Sequence, residues 1–184
     1  IVVVHQDYFS DMEKIVSVHG LSKVVRIVPG GEQRSDSVRH GLQVLEDDTR
    51  LVLIHDGARP LITVDFLNRM IQAAQKQEAL IAAVPVKPTI KQVNGETLLV
   101  ERTLDRRCLW DIQTPQIFQR EVIEQAYALN AAEATDDAFL VEQLGVNIKI
   151  FPGLDRNIKV TTREDLILAE QLLAGTGPQG GEKQ

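Results

Sequence analysis

Leu51-Val52-Leu53-Ile54 is a short apolar run that leads directly into the polar segment His55-Asp56-Gly57-Ala58-Arg59-Pro60. Such a run, bounded by a turn-forming segment, is typical of a strand that is buried on both faces of a sheet. Ligands of open parallel sheets bind outside the carboxyl ends of the strands. The charged residues after this strand are therefore candidates for a binding site, although a surface salt bridge explains them equally well.

Strand and helix patterns alternate on both sides of this run. The sequence predicts strands at residues 1–4, 24–28, 51–54, 80–84 and 147–151, and helices at residues 10–19, 35–45, 63–77, 120–129, 136–144 and 162–173. This rhythm predicts one α/β domain over residues 1–174, with a mostly parallel sheet covered by helices on both faces. The apolar first strand is expected to be buried on both faces, and residues 175–184 are expected to form a disordered tail.

The rhythm is interrupted at Asn94-Gly95, a dipeptide that tight hairpin turns prefer. The flanking residues 89–93 and 97–101 are predicted to be paired strands of a β-arm that covers about residues 86–108. An isolated pair of strands is not stable in water, so the arm is expected to pack against another part of the protein or another subunit. A second subunit is the obvious candidate, and the sequence therefore predicts a homodimer.

The composition of the 184 residues excludes several classes of protein. A net charge of −6 argues against a protein built to coat nucleic acid. No apolar run is long enough to cross a bilayer, and no signal peptide is expected before the first strand. The single cysteine, Cys108, cannot form an internal disulfide, which fits a cytoplasmic protein, and it is expected to be a small buried apolar residue.

Three further segments carry polar residues next to predicted elements: Gly30 to Val38, Thr103 to Gln116 and Asp155 to Thr162. Taken singly, each has an ordinary explanation, namely a glycine turn with a helix cap, a solvated charge cluster, or a lysine that points to solvent. His55 is likewise better explained as a hydrogen-bonded structural residue than as a catalyst. Glycines next to a helix N-terminus and paired arginines are nevertheless suited to phosphorylated ligands.

Together, these segments resemble the signature blocks of the methylerythritol phosphate cytidylyltransferases, in order and spacing. The matching stretches are residues 30–42, 52–60, 84–91, 104–118, 135–137 and 157–165. The resemblance implies a Rossmann-like fold with a β-arm exchanged across a homodimer. It also implies transfer of a cytidylyl group from CTP to a polyol phosphate, with release of pyrophosphate.

The resemblance also implies roles for individual residues. Gly31, Glu32 and Ser37 would contact the cytosine, Asp56 and Gly57 would lie beside the ribose and the polyol hydroxyls, and Arg59 would support their loop. From the arm, Thr89 and Arg106 would reach into the partner's site. Arg106 and Lys159 would hold the polyol phosphate, and the secondary polar contacts would be Thr114, Thr135, Asp136 and Thr161.

The chemistry implied by the resemblance needs cations rather than a base, because the attacking phosphate oxygen is already an anion. Mg²⁺ bound through the CTP phosphates is the expected cofactor, and no protein ligand for a metal is predicted. The family also carries a glycine-rich, basic loop that wraps the triphosphate and that would precede Ile1. Without that loop, this chain is expected to fold marginally and to be inactive. Pro88 stands where the family usually has Asp, which affects the expected geometry of the arm.

Two alternatives remain open at the level of the sequence. A ribitol 5-phosphate cytidylyltransferase would share the same blocks, because both polyols are short and phosphorylated. A non-catalytic binding subunit would explain the absence of the glycine-rich loop, although such a subunit need not keep Asp56, Arg106 and Lys159.

Overall fold

The computed structural model describes residues 1–129 and 136–175. The strands are β1 (Val2–Val4), β2 (Ile27–Pro29), β3 (Leu51–Ile54), β4 (Ala79–Pro85), β5 (Lys91–Val93), β6 (Val100–Thr103), β7 (Trp110–Gln119) and β8 (Ile148–Pro152). The helices are α1 (Phe9–Val18), α2 (Arg34–Leu42), α3 (Val64–Ala74), α4 (Arg120–Ala128), α5 (Asp137–Glu142) and α6 (Arg163–Ala174). Of the predicted tail, Gly175 caps the end of α6, and residues 176–184 lie outside the described residues.

The central sheet has the strand order β3-β7-β4-β8. Strands β4 and β8 pair in parallel, while β7 lies between β3 and β4 and runs antiparallel to both. The α/β class is confirmed, and three of the four strands run in the same direction. The sequence did not predict β7, because Pro115 and several polar residues interrupt it and proline is rare inside a central strand.

Helices cover both faces of this sheet, as the sequence predicted. Alternate residues of β4 point to opposite faces. Ala79 and Ile81 belong to one apolar cluster, together with side chains of α4 and α5. Leu80 belongs to the other cluster, which includes Phe66 and other side chains of α3. The sheet therefore lies between two packed layers, and its strand ends are held in fixed positions.

β1 and β2 form a separate parallel pair. The prediction that β1 is buried on both faces is wrong, because Val2–Val4 are only half-buried. Among the described residues, β1 pairs only with β2 and β3 pairs only with β7. Residues of β1 and β3 instead line a shared cavity of about 370 Å³, which explains why β1 is less covered than an interior strand.

The predicted β-arm is present as the antiparallel pair β5 and β6, whose side chains are all exposed. The predicted tight turn at Asn94-Gly95 is wrong, because residues 94–99 form a longer loop. The Asn94 side chain accepts hydrogen bonds from the backbone N–H groups of Glu96 and Thr97, and Leu98 adopts the left-handed conformation with φ of 56°. An asparagine side chain that bonds the backbone in this way favours a wider turn.

Two other expectations concern solvent exposure and membranes. Cys108 ends a short helical turn, Arg106–Cys108, and is exposed, so the prediction of a buried cysteine is wrong. Arg106, Arg107 and Cys108 are all exposed, because this turn lies at the root of the exposed arm. Within residues 1–129 and 136–175, no helix is both long enough and apolar enough to span a bilayer.

Candidate active site

The candidate site lies at the carboxyl end of β3, where His55 and Asp56 follow the apolar strand. The site is completed by the loop between β2 and α2 and by the loop between β8 and α6. The backbone N–H of Val160 donates to the carbonyl of Ala58 at 2.7 Å, which joins the loop after β8 to the end of β3. Residues that are far apart in the sequence therefore meet at one edge of the sheet.

His55 is a structural residue in this site. Its Nε2 donates to the Arg59 carbonyl at 3.1 Å, because a carbonyl can only accept. In the neutral ring, Nδ1 then accepts from the Thr114 hydroxyl at 3.1 Å. The same hydroxyl oxygen accepts from the backbone N–H of Asp56 at 3.0 Å. Burial lowers the pKa of His55 below its ordinary value, which favours the neutral form that fits these bonds.

Asp56 is held between two cations. Its Oδ1 lies 3.0 Å from Arg34 Nε and its Oδ2 lies 2.9 Å from Lys159 Nζ. Burial by itself would raise the pKa of this carboxyl, but the hydrogen bonds from Lys159 and Arg34 outweigh burial, and the pKa lies below its ordinary value. Asp56 is therefore ionised, and each of its two oxygens pairs with one of the two cations.

A buried network lies behind Arg34. The guanidinium NH2 donates to Asp137 Oδ2 at 2.7 Å, and the Tyr127 hydroxyl donates to Asp137 Oδ1 at 2.5 Å. The Asp137 side chain is fully buried. Burial, followed by the charge of Asp137, raises the pKa of Tyr127. The sequence did not single out Arg34, Asp137 or Tyr127, because nothing in the spacing shows that these three residues meet.

A second buried group supports the loop after β8. Arg59 NH1 donates to the Asn157 carbonyl at 2.7 Å, and Asn157 Nδ2 donates to the Thr114 carbonyl at 2.8 Å. Gln113 also bonds this loop, through the backbone of Leu154 and the Asn157 side chain. These bonds make the conformation around Lys159 depend on β7. The sequence offered one signal for this support, the run Gln113-Thr114-Pro115-Gln116.

The loop before α2 is shaped by a close approach at Gly31. A Cβ added to Gly31 would lie 2.2 Å from Asp36 Cβ, so no other residue fits without moving the loop. The backbone N–H of Gly31 donates to Ser37 Oγ at 3.1 Å, and Ser37 Oγ donates to the Gln33 carbonyl at 3.3 Å. Glu32 is exposed at the tip of this loop. Backbone and short polar groups at a helix N-terminus are suited to a polar or anionic ligand.

A wider cavity, of about 880 Å³, opens beside Lys159. It is lined by Arg59, Lys159 and Asn157 at the site, and by residues of the arm root such as Lys87 and Trp110. The site therefore offers a half-exposed lysine at the wall of a space large enough for a small phosphorylated molecule.

Comparisons with known proteins show the family of this chain. The family model described as IspD, 2-C-methyl-D-erythritol 4-phosphate cytidylyltransferase, matches residues 1–175. This chain belongs to the IspD family. Among curated relatives, the protein of that name from Syntrophus aciditrophicus is 44% identical over 176 residues, covering 94% of this chain and 75% of the relative. The one from Alkaliphilus oremlandii is 48% identical over 164 residues, covering 88% of this chain and 69% of the relative.

Solved structures of the family share the fold. The 4-diphosphocytidyl-2C-methyl-D-erythritol synthase of Anaerococcus prevotii has a TM-score of 0.83 and 32% identity, covering 94% of this chain and 77% of that one. The 2-C-methyl-D-erythritol 4-phosphate cytidylyltransferase of Thermus thermophilus has a TM-score of 0.72 and 34% identity, covering 80% of this chain and 72% of that one. The resemblance read from the sequence is confirmed.

The structure brings together only some of the residues to which the IspD resemblance assigns roles. Asp56, Lys159 and Thr114 are linked by the contacts above, and Arg59 braces the adjoining loop. Gly57 lies beside Asp56 and lines the 370 Å³ cavity. Two residues bond other partners: Asp136 caps α5 through Phe139 and accepts from Gln116 of β7, and Thr161 bonds Asp165 at the start of α6.

The arm residues of the IspD site lie apart from Asp56 in this single chain. Arg106 NH1 donates to the Lys87 carbonyl at 2.6 Å, and its side chain is exposed. Thr89 is also exposed, in the segment before β5. The described contacts do not join either residue to Asp56 or Lys159. Thr135, the remaining predicted contact, lies outside the described residues.

The donor set of the site does not fit a magnesium ion held by protein alone. The described residues contain no group of three or more His, Cys, Asp or Glu side chains that could hold a metal. The two oxygens of Asp56 are both engaged by cations. Mg²⁺ in phosphate-transferring sites is commonly bound by one or two carboxylates together with substrate phosphates and water. A magnesium ion here would depend on oxygens that the substrate brings.

Proposed function

We propose that this chain transfers a cytidylyl group from CTP to the phosphate of 2-C-methyl-D-erythritol 4-phosphate and releases pyrophosphate. The observation that carries the proposal is the Lys159–Asp56–Arg34 cluster at the carboxyl end of β3, in a chain that matches the IspD family over residues 1–175. The curated relatives described above carry the name of this activity.

The site is suited to a reaction in which a phosphate oxygen attacks a nucleotide phosphate. The attacking oxygen is already an anion, so no side chain needs to remove a proton from it. His55, the nearest candidate base, has both ring nitrogens engaged and its pKa lowered by burial. The main barrier is repulsion between two anionic groups, and cations fixed in advance lower this barrier. Lys159 is the cation of the cluster that can turn to a ligand, because its side chain is 45% exposed and pairs with one carboxylate, whereas Arg34, which is 36% exposed, is held by two.

Each half of the site would bind one substrate. The Gly31–Ser37 turn would hold the cytosine together with Glu32, and Asp56 and Gly57 would lie beside the ribose and polyol hydroxyls. The polyol phosphate would bind Lys159, and Arg106 would complete this phosphate clamp. Thr135, Asp136 and Thr161 would make secondary polar contacts. Mg²⁺ would arrive on the CTP phosphates, whose oxygens are the kind of ligand that this ion prefers.

The arm supports a homodimer. Leu98, Leu99 and Val100 are 75%, 69% and 60% exposed, which is unusual for three consecutive apolar residues. Covering them with a second copy would also carry Thr89 and Arg106 to the partner's Lys159, where the resemblance places them. We further propose a cytoplasmic location, since an exposed, unpaired Cys108 fits a reducing compartment.

The test measures pyrophosphate release by the protein expressed from the full reading frame that contains this chain. CTP is supplied together with methylerythritol phosphate, with ribitol 5-phosphate, or with neither polyol. We expect release that depends on methylerythritol phosphate and exceeds the rate with ribitol phosphate at least tenfold. Faster turnover of ribitol 5-phosphate would show that this polyol phosphate is the acceptor instead. Binding of CTP without any release of pyrophosphate would favour a non-catalytic subunit.

A further inference from the structure

Arg34 is the most constrained cation of the site. It uses two nitrogens on two different carboxylates, Nε on Asp56 at 3.0 Å and NH2 on Asp137 at 2.7 Å. Asp137 cannot easily release it, because that carboxylate is fully buried and its other oxygen is bound by the Tyr127 hydroxyl. The guanidinium therefore bridges the interior and the site, and its planar fork suits this double contact.

Lys159 has the opposite character. Its side chain is 45% exposed, against 13% for Asp56, and Asp56 is its ion-pair partner in the described structure. A flexible ammonium at the wall of an open cavity can turn from Asp56 to a phosphate. Arg34 cannot make that turn without leaving Asp137 unpaired in the interior, which is strongly unfavourable for a buried charge.

The charges explain why both cations are needed. Arg34 and Lys159 together balance Asp56 and Asp137. When a phosphate takes Lys159, Asp56 remains next to an anion and depends on Arg34 alone. Without Arg34, Asp56 would hold Lys159 as its sole counter-ion and would compete with the phosphate for it.

We propose that Arg34 is a positioning residue that keeps Asp56 neutralised and in place, so that Lys159 is free to bind the phosphate of the acceptor. Asp137 and Tyr127 hold Arg34 from behind. This inference rests on the proposed cytidylyl transfer, and it assigns to the network a task in acceptor binding rather than in folding alone.

The test compares Arg34→Gln with Arg34→Lys and with Arg69→Gln in the protein from the full reading frame. Arg69 is the control, because it is also a helical arginine but pairs with the exposed Asp65 on α3. We expect Arg34→Gln to raise the KM for methylerythritol phosphate at least tenfold. Arg34→Lys should give an intermediate value, since an ammonium reaches only one of the two carboxylates. Arg69→Gln should stay within about twofold of the wild type.

A double-mutant cycle separates positioning from general damage. If Arg34 acts through Lys159, adding Arg34→Gln to Lys159→Ala should cost little beyond Lys159→Ala alone. If the losses caused by Arg34→Gln and by Lys159→Ala multiply in the double variant, the two residues act independently and the proposal is overturned. Should Arg34→Gln fail to fold, the pair Arg34→Gln/Asp137→Asn, which removes both charges of the buried ion pair, takes its place in the cycle.

A titration that needs no turnover distinguishes failure of this inference from failure of the proposed function. The groups facing Asp56 that carry or can gain charge are Arg34 from α2, Lys159 from the loop after β8 and the adjacent His55. Carbon-13 NMR of the Asp56 carboxyl should show a higher pKa in Arg34→Gln and no change in Arg69→Gln. If the pKa of Asp56 is unchanged in both variants, Arg34 is not its counter-ion, whatever reaction the protein catalyses.

Discussion

Lys159 Nζ lies 2.9 Å from Asp56 Oδ2, and this ion pair joins the loop after β8 to the end of β3. The pair has one partly exposed member and one mostly buried member, so the lysine can exchange its partner while the aspartate stays in place. This asymmetry is the basis of the first prediction.

Lys159→Ala should lower kcat/KM for methylerythritol phosphate by about tenfold to hundredfold, because charge-assisted hydrogen bonds contribute about 1.5–3 kcal/mol. The KM for CTP should change much less. The measurement is pyrophosphate release at varied acceptor and fixed CTP. Lys149→Ala removes an exposed lysine from β8, outside the site contacts, and serves as the control. Equal losses in both variants would contradict the assigned role of Lys159.

The arm provides a prediction about assembly. Arg106→Ala and Lys159→Ala should each be impaired, and mixing the two subunits should restore about a quarter of the wild-type activity after random exchange. Half of the dimers are then mixed, and one of their two sites receives an intact arginine and an intact lysine. Light scattering of each variant should show a dimer. Absence of recovery, with exchange verified by labelled subunits, would exclude a shared site.

Gly31→Ala should raise the KM for CTP about tenfold or more, because the added Cβ would meet Asp36 and displace the Gly31–Ser37 hydrogen bond. Gly95→Ala is the control, since a Cβ there meets open space in the arm loop. The KM for the acceptor should stay near the wild-type value in both variants. A normal CTP KM in Gly31→Ala would remove this turn from the nucleotide site.

The burial of His55 predicts that the free energy of unfolding depends on pH. Burial lowers its folded-state pKa below the ordinary value of 6.5, so the unfolded chain binds the proton more readily. The stabilisation is complete above about pH 6.5 and is lost as the pH falls through the lower folded-state pKa. The free energy of unfolding in urea should therefore fall between pH 7.5 and pH 5, and it should fall less in His55→Gln. An identical slope in both proteins would contradict this account.

The sequence by itself determined the local elements with the clearest patterns. Strand β3 has the predicted bounds, since four apolar residues are followed at once by a charged turn. Helices α3 and α6 begin directly after Thr63 and Thr162, close to the predicted starts, because each threonine side chain caps its helix by accepting from a backbone N–H three residues along. The family followed from several short blocks in a fixed order, which is also information that a sequence carries without its fold.

Only the tertiary structure decided how the site is assembled. Strand β7 is rich in polar residues, and its Gln113 and Gln116 find partners in the loop after β8 and at the start of α5. Arg34 became a site residue because folding brings it to Asp56 and Asp137. A polar side chain looks the same in the sequence whether it faces water or a buried partner. Which of the two surrounds the side chain depends on the residues that folding brings next to it, and long-range packing alone determines those neighbours.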